Sequence, residues 1–334
     1  MKGGIVLRRA RTSLMFRIAV LLAVMLCALS LPTSAQVQQV ADSTFVPAVA
    51  SPAFTKHHPR VLFDEAHHNF HTLEGRYQGF GALMKADGCE LTPNRDPFSA
   101  KSLKGFDVLV IANAEVETPE TASDSTANQS AFTVEEIEAV HRWVGDGGAL
   151  LLIADHAPFG SAAAALSARF DVNMSLGYTA DSLQAAGPGG ITIIEFTRAR
   201  ETLGDHPIMN GWSEKERVGR VVAFTGQSLL GPAGSTPLMK LSDAAVDIPP
   251  EALKLAGDPK AMMAQAVPAK GRSMAVALQV GRGRVVVQGE AGMLSAQIVI
   301  VPGQEPFKFG MNQPGLDNQQ YALNLMRWLA EGKR

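Results

Sequence analysis

Directly after the apolar run Val61-Leu62-Phe63, the chain reads Asp64-Glu65-Ala66-His67-His68-Asn69-Phe70-His71-Thr72. Two carboxylates and three imidazoles so close together are costly to bury unless each finds a partner. Carboxylates with neutral imidazoles suit a divalent ion such as zinc, manganese or iron, so Asp64, His67 and His71 are candidate metal ligands. The spacing matches no established zinc motif, and His-Glu-x-x-His is absent. A carboxylate–imidazole network that fixes the loop is the competing reading.

A second polar pair, Asp155-His156, follows the apolar run Ala149–Ala154, and Glu290 follows Val285-Val286-Val287-Gln288-Gly289. Ligands of open α/β sheets bind at the carboxyl ends of strands, so Asp155, His156 and Glu290 are candidate acid–base groups. If the strands before Asp64 and Asp155 are near neighbours, their polar ends face each other across about 10 Å. Asp155 and His156 would then complete a metal site with Asp64, His67 and His71. Asp155 as a cap of the next helix, and Glu290 as a carboxylate at a helix start, are the plainer readings. Asn113 and Gln227 either orient a ligand or satisfy loop backbone. Asn312, in the polar turn Gly310–Pro314, is a candidate pocket wall. Nucleophilic catalysis finds no support: there is no Gly-x-Ser-x-Gly elbow, and Cys89 falls at a strand start.

The elements needed to position these groups are legible from periodicity. Buried strands are predicted at Val61–Asp64, Cys89–Thr92, Phe106–Ile111 and Ala149–Ala154, and two more, Ser273–Val280 and Arg284–Gln288, are joined by Gly281-Arg282-Gly283. Tyr77, Phe80, Leu83 and Met84 recur at helical spacing before a capping Gly88. Thr133-Val134-Glu135-Glu136 spells a capping box, Ala162–Phe170 reads as a helix, and Asp317 is placed to cap a last helix carrying Tyr321, Leu325, Trp328 and Leu329. Ile191–Phe196 and Val221–Phe224 are predicted strands, while 238–265 follows no period. Near-continuous apolar strands alternating with helices predict a mainly parallel sheet covered on both faces.

Lys2, Arg8, Arg9, Arg11 and Arg17, the apolar stretch Phe16–Leu31 and Thr33-Ser34-Ala35 together read as a signal peptide over 1–35, which predicts a periplasmic or secreted protein. Only an uncleaved signal segment would tie it to a membrane. An extended lead-in over 36–59 and one α/β domain over 60–334 follow, with a surface insertion at 115–130. Formal net charge is −2, and loss of five basic residues with the signal leaves the rest more acidic. No basic cluster remains, which excludes nucleic acid as a partner. Cys89 alone is left of the two cysteines, so it is read as a small buried residue.

Asp64-Glu65-Ala66-His67, Asn69-Phe70-His71-Thr72, Ala154-Asp155-His156, Phe224-Thr225-Gly226-Gln227 and Gly289-Glu290-Ala291 resemble an exported bacterial family of no settled activity. Its members look like class I glutamine-amidotransferase-like domains, related to trehalose-utilisation-type and gliding-motility-auxiliary-type domains. The resemblance runs from about Arg60 to Trp328. It implies a flavodoxin-like three-layer α/β/α sandwich, with β-hairpin elements added. Amidotransferases carry a nucleophilic cysteine on the turn after a strand such as Ala149–Ala154; here Asp155-His156 occupies that turn, so amidotransferase chemistry is not expected. The combined expectation is a hydrolase-like enzyme acting on a small-molecule or glycan ligand through acid–base or divalent-metal chemistry. A non-catalytic glycan- or protein-binding domain is the alternative.

Overall fold

The computed structural model describes residues 38–117, 129–186, 191–255 and 257–331. The signal segment expected over 1–35, most of the insertion expected over 115–130 and residues 187–190 lie outside the described residues. Seven strands form the main sheet: Arg60–Asp64 (β1), Glu90–Asn94 (β2), Val108–Ala112 (β3), Ala149–Ile153 (β4), Thr236–Pro237 (β5), Ala275–Val280 (β6) and Gly283–Gln288 (β7). Their order is β5-β6-β7-β4-β3-β1-β2. The five strands from β7 to β2 run parallel, whereas β6 is antiparallel to β7 and β5 to β6.

The apolar strands bury both faces, which is why they read as unbroken runs rather than alternating ones. Val61, Phe63, Val108, Val110, Leu151 and Ile153 join one core. Leu62, Leu109, Ile111, Leu150 and Leu152 join the other. Helices Gln78–Ala86 (α1) and Asn318–Leu329 (α4) supply the first core through Phe80, Leu83, Met84, Tyr321, Leu325 and Trp328. Helices Val134–Gly145 (α2) and Phe159–Ala168 (α3) supply the second. The chain is thus α/β, with helices on both sides of a large mixed sheet.

Local signals explain most boundaries. Gly88 ends α1 at φ +100°, and a Cβ there would lie 2.1 Å from the Phe54 carbonyl oxygen, so only glycine fits. The Thr133–Glu136 capping box forms as spelled. Asp317, by contrast, makes no side-chain cap on α4. Its carboxylate instead accepts from the Gly219 and Arg220 amides at 2.7 and 2.9 Å, because the neighbouring hairpin needs those donors satisfied. That hairpin, Ile194–Thr197 with Arg220–Ala223, stands apart from the main sheet. The helix expected from Ala162 starts at Phe159, after Pro158. Region 238–265 contains the strand Ala245–Ile248, paired with Tyr178–Asp181, and the short helix Pro259–Met263. A small sheet joins Gln38–Ala41, Ala296–Ile300 and Phe307–Gly310.

One buried ion cluster ties α4 to the end of α1. Arg327 donates to both carboxylate oxygens of Asp87 at 2.6 and 2.8 Å, to Glu216 at 2.7 Å and to the Ser51 carbonyl at 2.9 Å. Removing one partner of a buried pair strands the other charge, at about 3–5 kcal/mol. Arg327→Met is therefore expected to lower unfolding free energy by that order, measured by urea unfolding. A loss below about 1 kcal/mol would mean the cluster behaves like an exposed ion pair.

Candidate active site

At the end of β1, Asp64 is fully buried and surrounded by donors. It accepts from the Asn69 amide group at 3.1 Å, from Asn94 at 3.4 Å and from the Ala66 backbone at 3.3 Å, and meets His67 Nδ1 at 2.9 Å. The other ring nitrogen of His67, Nε2, lies 2.9 Å from Glu136 of α2. Phe98 and Phe132 flank the imidazole, each with its ring centroid 4.7 Å away. Burial alone would lower the His67 pKa, but the hydrogen bonds and charges of Asp64 and Glu136 outweigh it and raise it. Burial likewise opposes ionisation of Glu136, yet bonds from Thr133, His67 and Phe98 hold its carboxyl below the usual range. The result is a buried imidazolium clasped by two carboxylates, joining the ends of β1 and β2 to α2.

The expected metal ligands do not assemble. Both nitrogens of His67 are engaged, and His71 lies against Tyr77 with ring centroids 4.8 Å apart. Among the described residues, no three His, Cys, Asp or Glu side chains are grouped so as to hold a metal ion. The donor set of Asp64, His67, His71, Asp155 and His156 thus does not fit a zinc or manganese ion. His67 has both ring nitrogens engaged, whereas His71 and His156 are held by ring stacking on Tyr77 and Tyr178.

One interstrand step beyond β3, Asp155 and Glu290 come together. Ile153 and Gln288 are register partners on β4 and β7, so each carboxylate stands two residues past the same rung. Glu290 is completely enclosed; its two oxygens accept from the Gly292 and Met293 amides at 2.6 and 2.8 Å. Burial, then the negative charge of Asp155, push its pKa well above the carboxylate range, against the pull of the backbone donors of Met293, Gly292 and Phe224. Among the described residues no cation offsets this, so the environment of Glu290 favours the neutral acid, while the Asp155 side chain on the neighbouring turn is 11% exposed.

His156 stands on the same turn. Its Nδ1 lies 2.8 Å from the Ala157 carbonyl and must donate to it, which leaves Nε2 with the free lone pair, 3.9 Å from Asp155. The ring stacks on Tyr178 at 4.1 Å and 14°, and 20% of the side chain is exposed. Burial and then the Asp155 charge raise the pKa of Tyr178, and burial, then Glu290, then Asp155 raise that of Tyr77. Tyr77 donates to the Ala291 carbonyl at 2.8 Å.

Asn113 and Gln227 position this edge rather than face a ligand. Asn113, at φ +49°, accepts from the Asp155 amide at 2.9 Å, while its backbone bridges Ile153 and Phe70. Gln227 donates to the Ala154 and Asp155 carbonyls, both at 2.9 Å, and accepts from Leu176. A Cβ on Gly160 would meet its amide at 2.7 Å, so α3 starts directly against it. Asn312 lies elsewhere, bonded to Asp42, Gln297 and Phe309 in the small sheet, and lines no part of this edge. Cys89 is buried, its thiol pushed up to about 12 chiefly by burial. Sequence reasoning passed over Tyr77, Tyr178 and Glu136. Glu136 was visible only as a capping residue, and the tyrosines only as apolar bulk.

No family model matches the chain, and no curated protein matches it. Its fold is similar to solved structures. The N-terminal domain of mmIFT52 superposes with a TM-score of 0.55 at 12% identity, covering 81% of this chain and 98% of that one. A cytoplasmic protein of Salmonella typhimurium LT2 gives 0.42 at 12% identity over 81% of this chain and 97% of its own. A ThuA-like protein of Bacteroides uniformis gives 0.40 at 11% identity, over 84% and 93%. At such identities the likeness concerns the fold alone.

His71 sets a measurable pH dependence. It is wholly enclosed and its pKa falls to about 3, through burial and then the nearby Arg76 charge. Between that value and the unfolded 6.5, only the unfolded chain binds the proton, so stability falls as pH drops through 6.5 toward 3. The slope for one such group is at most about 1.4 kcal/mol per pH unit. His67, with its raised pKa, has the opposite sign: its contribution is whole below 6.5 and fades as pH rises through the folded value. In urea unfolding at pH 7 and 5, His71→Leu should lose less stability on acidification than the wild type. An equal loss would show that His71 is not held neutral.

Proposed function

We propose that this chain is an exported hydrolase-type enzyme working by acid–base chemistry at the carboxyl edge of a flavodoxin-like three-layer α/β/α sandwich. Support for the scaffold comes from the order of the parallel strands, β2-β1-β3-β4-β7, which is the flavodoxin-like order 2-1-3-4-5 when the fifth is β7. Its amidotransferase-like kinship remains part of the same proposal, with Asp155-His156 replacing the cysteine turn. The N-terminal signal supports export to the periplasm or beyond.

The observation that carries the chemistry is the Asp155–Glu290 pair, two carboxyl groups two residues past one rung of the sheet, of which Glu290 has its pKa pushed well above the carboxylate range by burial and then by the Asp155 charge. In this reading the Nε2 lone pair of His156 takes a proton from water as the water oxygen attacks the substrate. The Asp155 carboxylate, 3.9 Å away, favours the imidazolium that forms. That imidazolium then returns the proton to the leaving group, so the ring ends neutral. Glu290, by staying protonated, limits the edge to one negative charge and sets the basicity of its neighbours. No step is routed through a metal. The substrate is a small molecule or a glycan.

A second reading, a non-catalytic glycan- or protein-binding domain, is favoured by one fact: Glu290 is enclosed and both its oxygens are taken by backbone donors. A panel of glycosides, esters and amides distinguishes the two. Enzymatic turnover is expected, and general-base loss in Asp155→Asn or His156→Ala should reduce it by about 10²–10⁴-fold with the fold intact. Turnover unchanged in Asp155→Asn would remove the pair from the mechanism, and binding without turnover would favour the second reading.

A further inference from the structure

Beside this edge, the turn before α1 holds a cation without a counter-charge among the described residues. The Arg76 guanidinium stacks over the Phe70 ring, 4.1 Å from its centroid, and its Nε donates to the Gln39 carbonyl at 3.0 Å. Its two terminal nitrogens make no hydrogen bond or ion pair among the described residues. Burial lowers its pKa, and no acidic group acts to raise it. The next element of the turn is as unusual. His71 is 4% exposed, and its enclosed Nδ1 has no hydrogen-bond partner. A buried polar atom left unpaired costs about 1–3 kcal/mol, so such atoms call for an explanation. Phe70, packed edge-on to His71 at 5.2 Å, leaves 41% of its surface open.

We propose that Arg76, His71 and Phe70 form a binding site for an organic monocarboxylate with an apolar body. The free side of the guanidinium is a planar fork that matches a carboxylate bidentately. His71, whose Nδ1 lacks a hydrogen-bond partner, packs on Phe70 and lies near enough to feel the Arg76 charge. The single positive charge is balanced by a monoanion; a phosphate, nearer −2, would leave charge uncompensated at a half-buried place. The open part of Phe70 covers the apolar body. Phe70 also packs on Phe159 at 5.4 Å, and Phe159 on His156 at 6.1 Å, so the site adjoins the Asp155 edge. The proposal stands whether or not that edge is catalytic. The plainer alternative is an arginine merely lying across an exposed ring.

The test is calorimetric titration of the purified protein with benzoate, with inorganic phosphate and benzyl alcohol as comparison probes. Saturable benzoate binding is expected, at least ten-fold tighter than either comparison, and weakened at least ten-fold in Arg76→Gln and several-fold in Phe70→Ser. Arg76→Lys keeps the charge and stem, and carries the test if Arg76→Gln does not fold; it too should bind benzoate more weakly, having lost the fork. Absent saturation, phosphate binding tighter than benzoate, or affinity unchanged in the Arg76 variants would overturn the proposal.

Discussion

A carboxyl group enclosed in protein with no cation beside it cannot stay ionised cheaply, and Glu290 is such a group. Three backbone donors favour its charge, while burial and the Asp155 carboxylate oppose it. The opposing influences are the larger, since desolvating a lone carboxylate costs more than a few amide bonds return. The surrounding polar groups hold the two acid-bearing turns in place. Gln227 fixes the backbone of Asp155 while its own amide donates to the Gly289 carbonyl, so the two acid-bearing turns cannot drift apart. Asn113 accepts the left-handed conformation at φ +49° to hold the Asp155 amide from the other side.

The same edge treats its other charges differently. At the end of β1, Asp64 and Glu136 share one imidazolium, and the three groups close on themselves between two phenylalanine rings. Such a clasp satisfies its donors and acceptors internally and leaves none for a metal or substrate. At the far side of the molecule Arg327 is divided between Asp87 and Glu216 in the same manner. These closed clusters fix loops and helices. They do structural work because their charges are already answered.

Strands β1, β3, β4, β6 and β7 were legible because burial on both faces forces unbroken apolar runs, α1 and α2 because their stripes and end residues are local signals, and α4 because of its stripe alone. The hairpins were harder. Ala296–Ile300 and Ala245–Ile248 pair with segments distant in sequence, and no local pattern announces so remote a partner as Tyr178–Asp181. Asp155, His156 and Glu290 were found from their place after apolar runs, since strand ends are where a parallel sheet exposes polar groups. Their grouping with Asp64, His67 and His71 failed for a reason sequence could not supply. Which partner an imidazole takes depends on Glu136, Phe98 and Phe132, which lie on other elements.

Among the described residues, buried charge is met by opposite charge at His67 and Arg327 and by a mixed polar network at Arg272, is disfavoured outright by burial at Glu290, and at Arg76 is met by an aromatic face. Arg272 donates to Ser228, which donates to Asp247, which in turn accepts from Thr179, so its charge is relayed to a carboxylate 3.6 Å away. In the first two cases the folded chain itself supplies the compensation. An aromatic face compensates a cation only in part, about 0.5–1 kcal/mol at an exposed site, far less than a paired carboxylate in a half-buried one. Arg76 and the unbonded Nδ1 of His71 beside it therefore mark the part of this edge where the chain has left polar capacity unused. Function in an α/β scaffold concentrates where internal partners run out, and here that direction leads from Phe70 through Phe159 to His156.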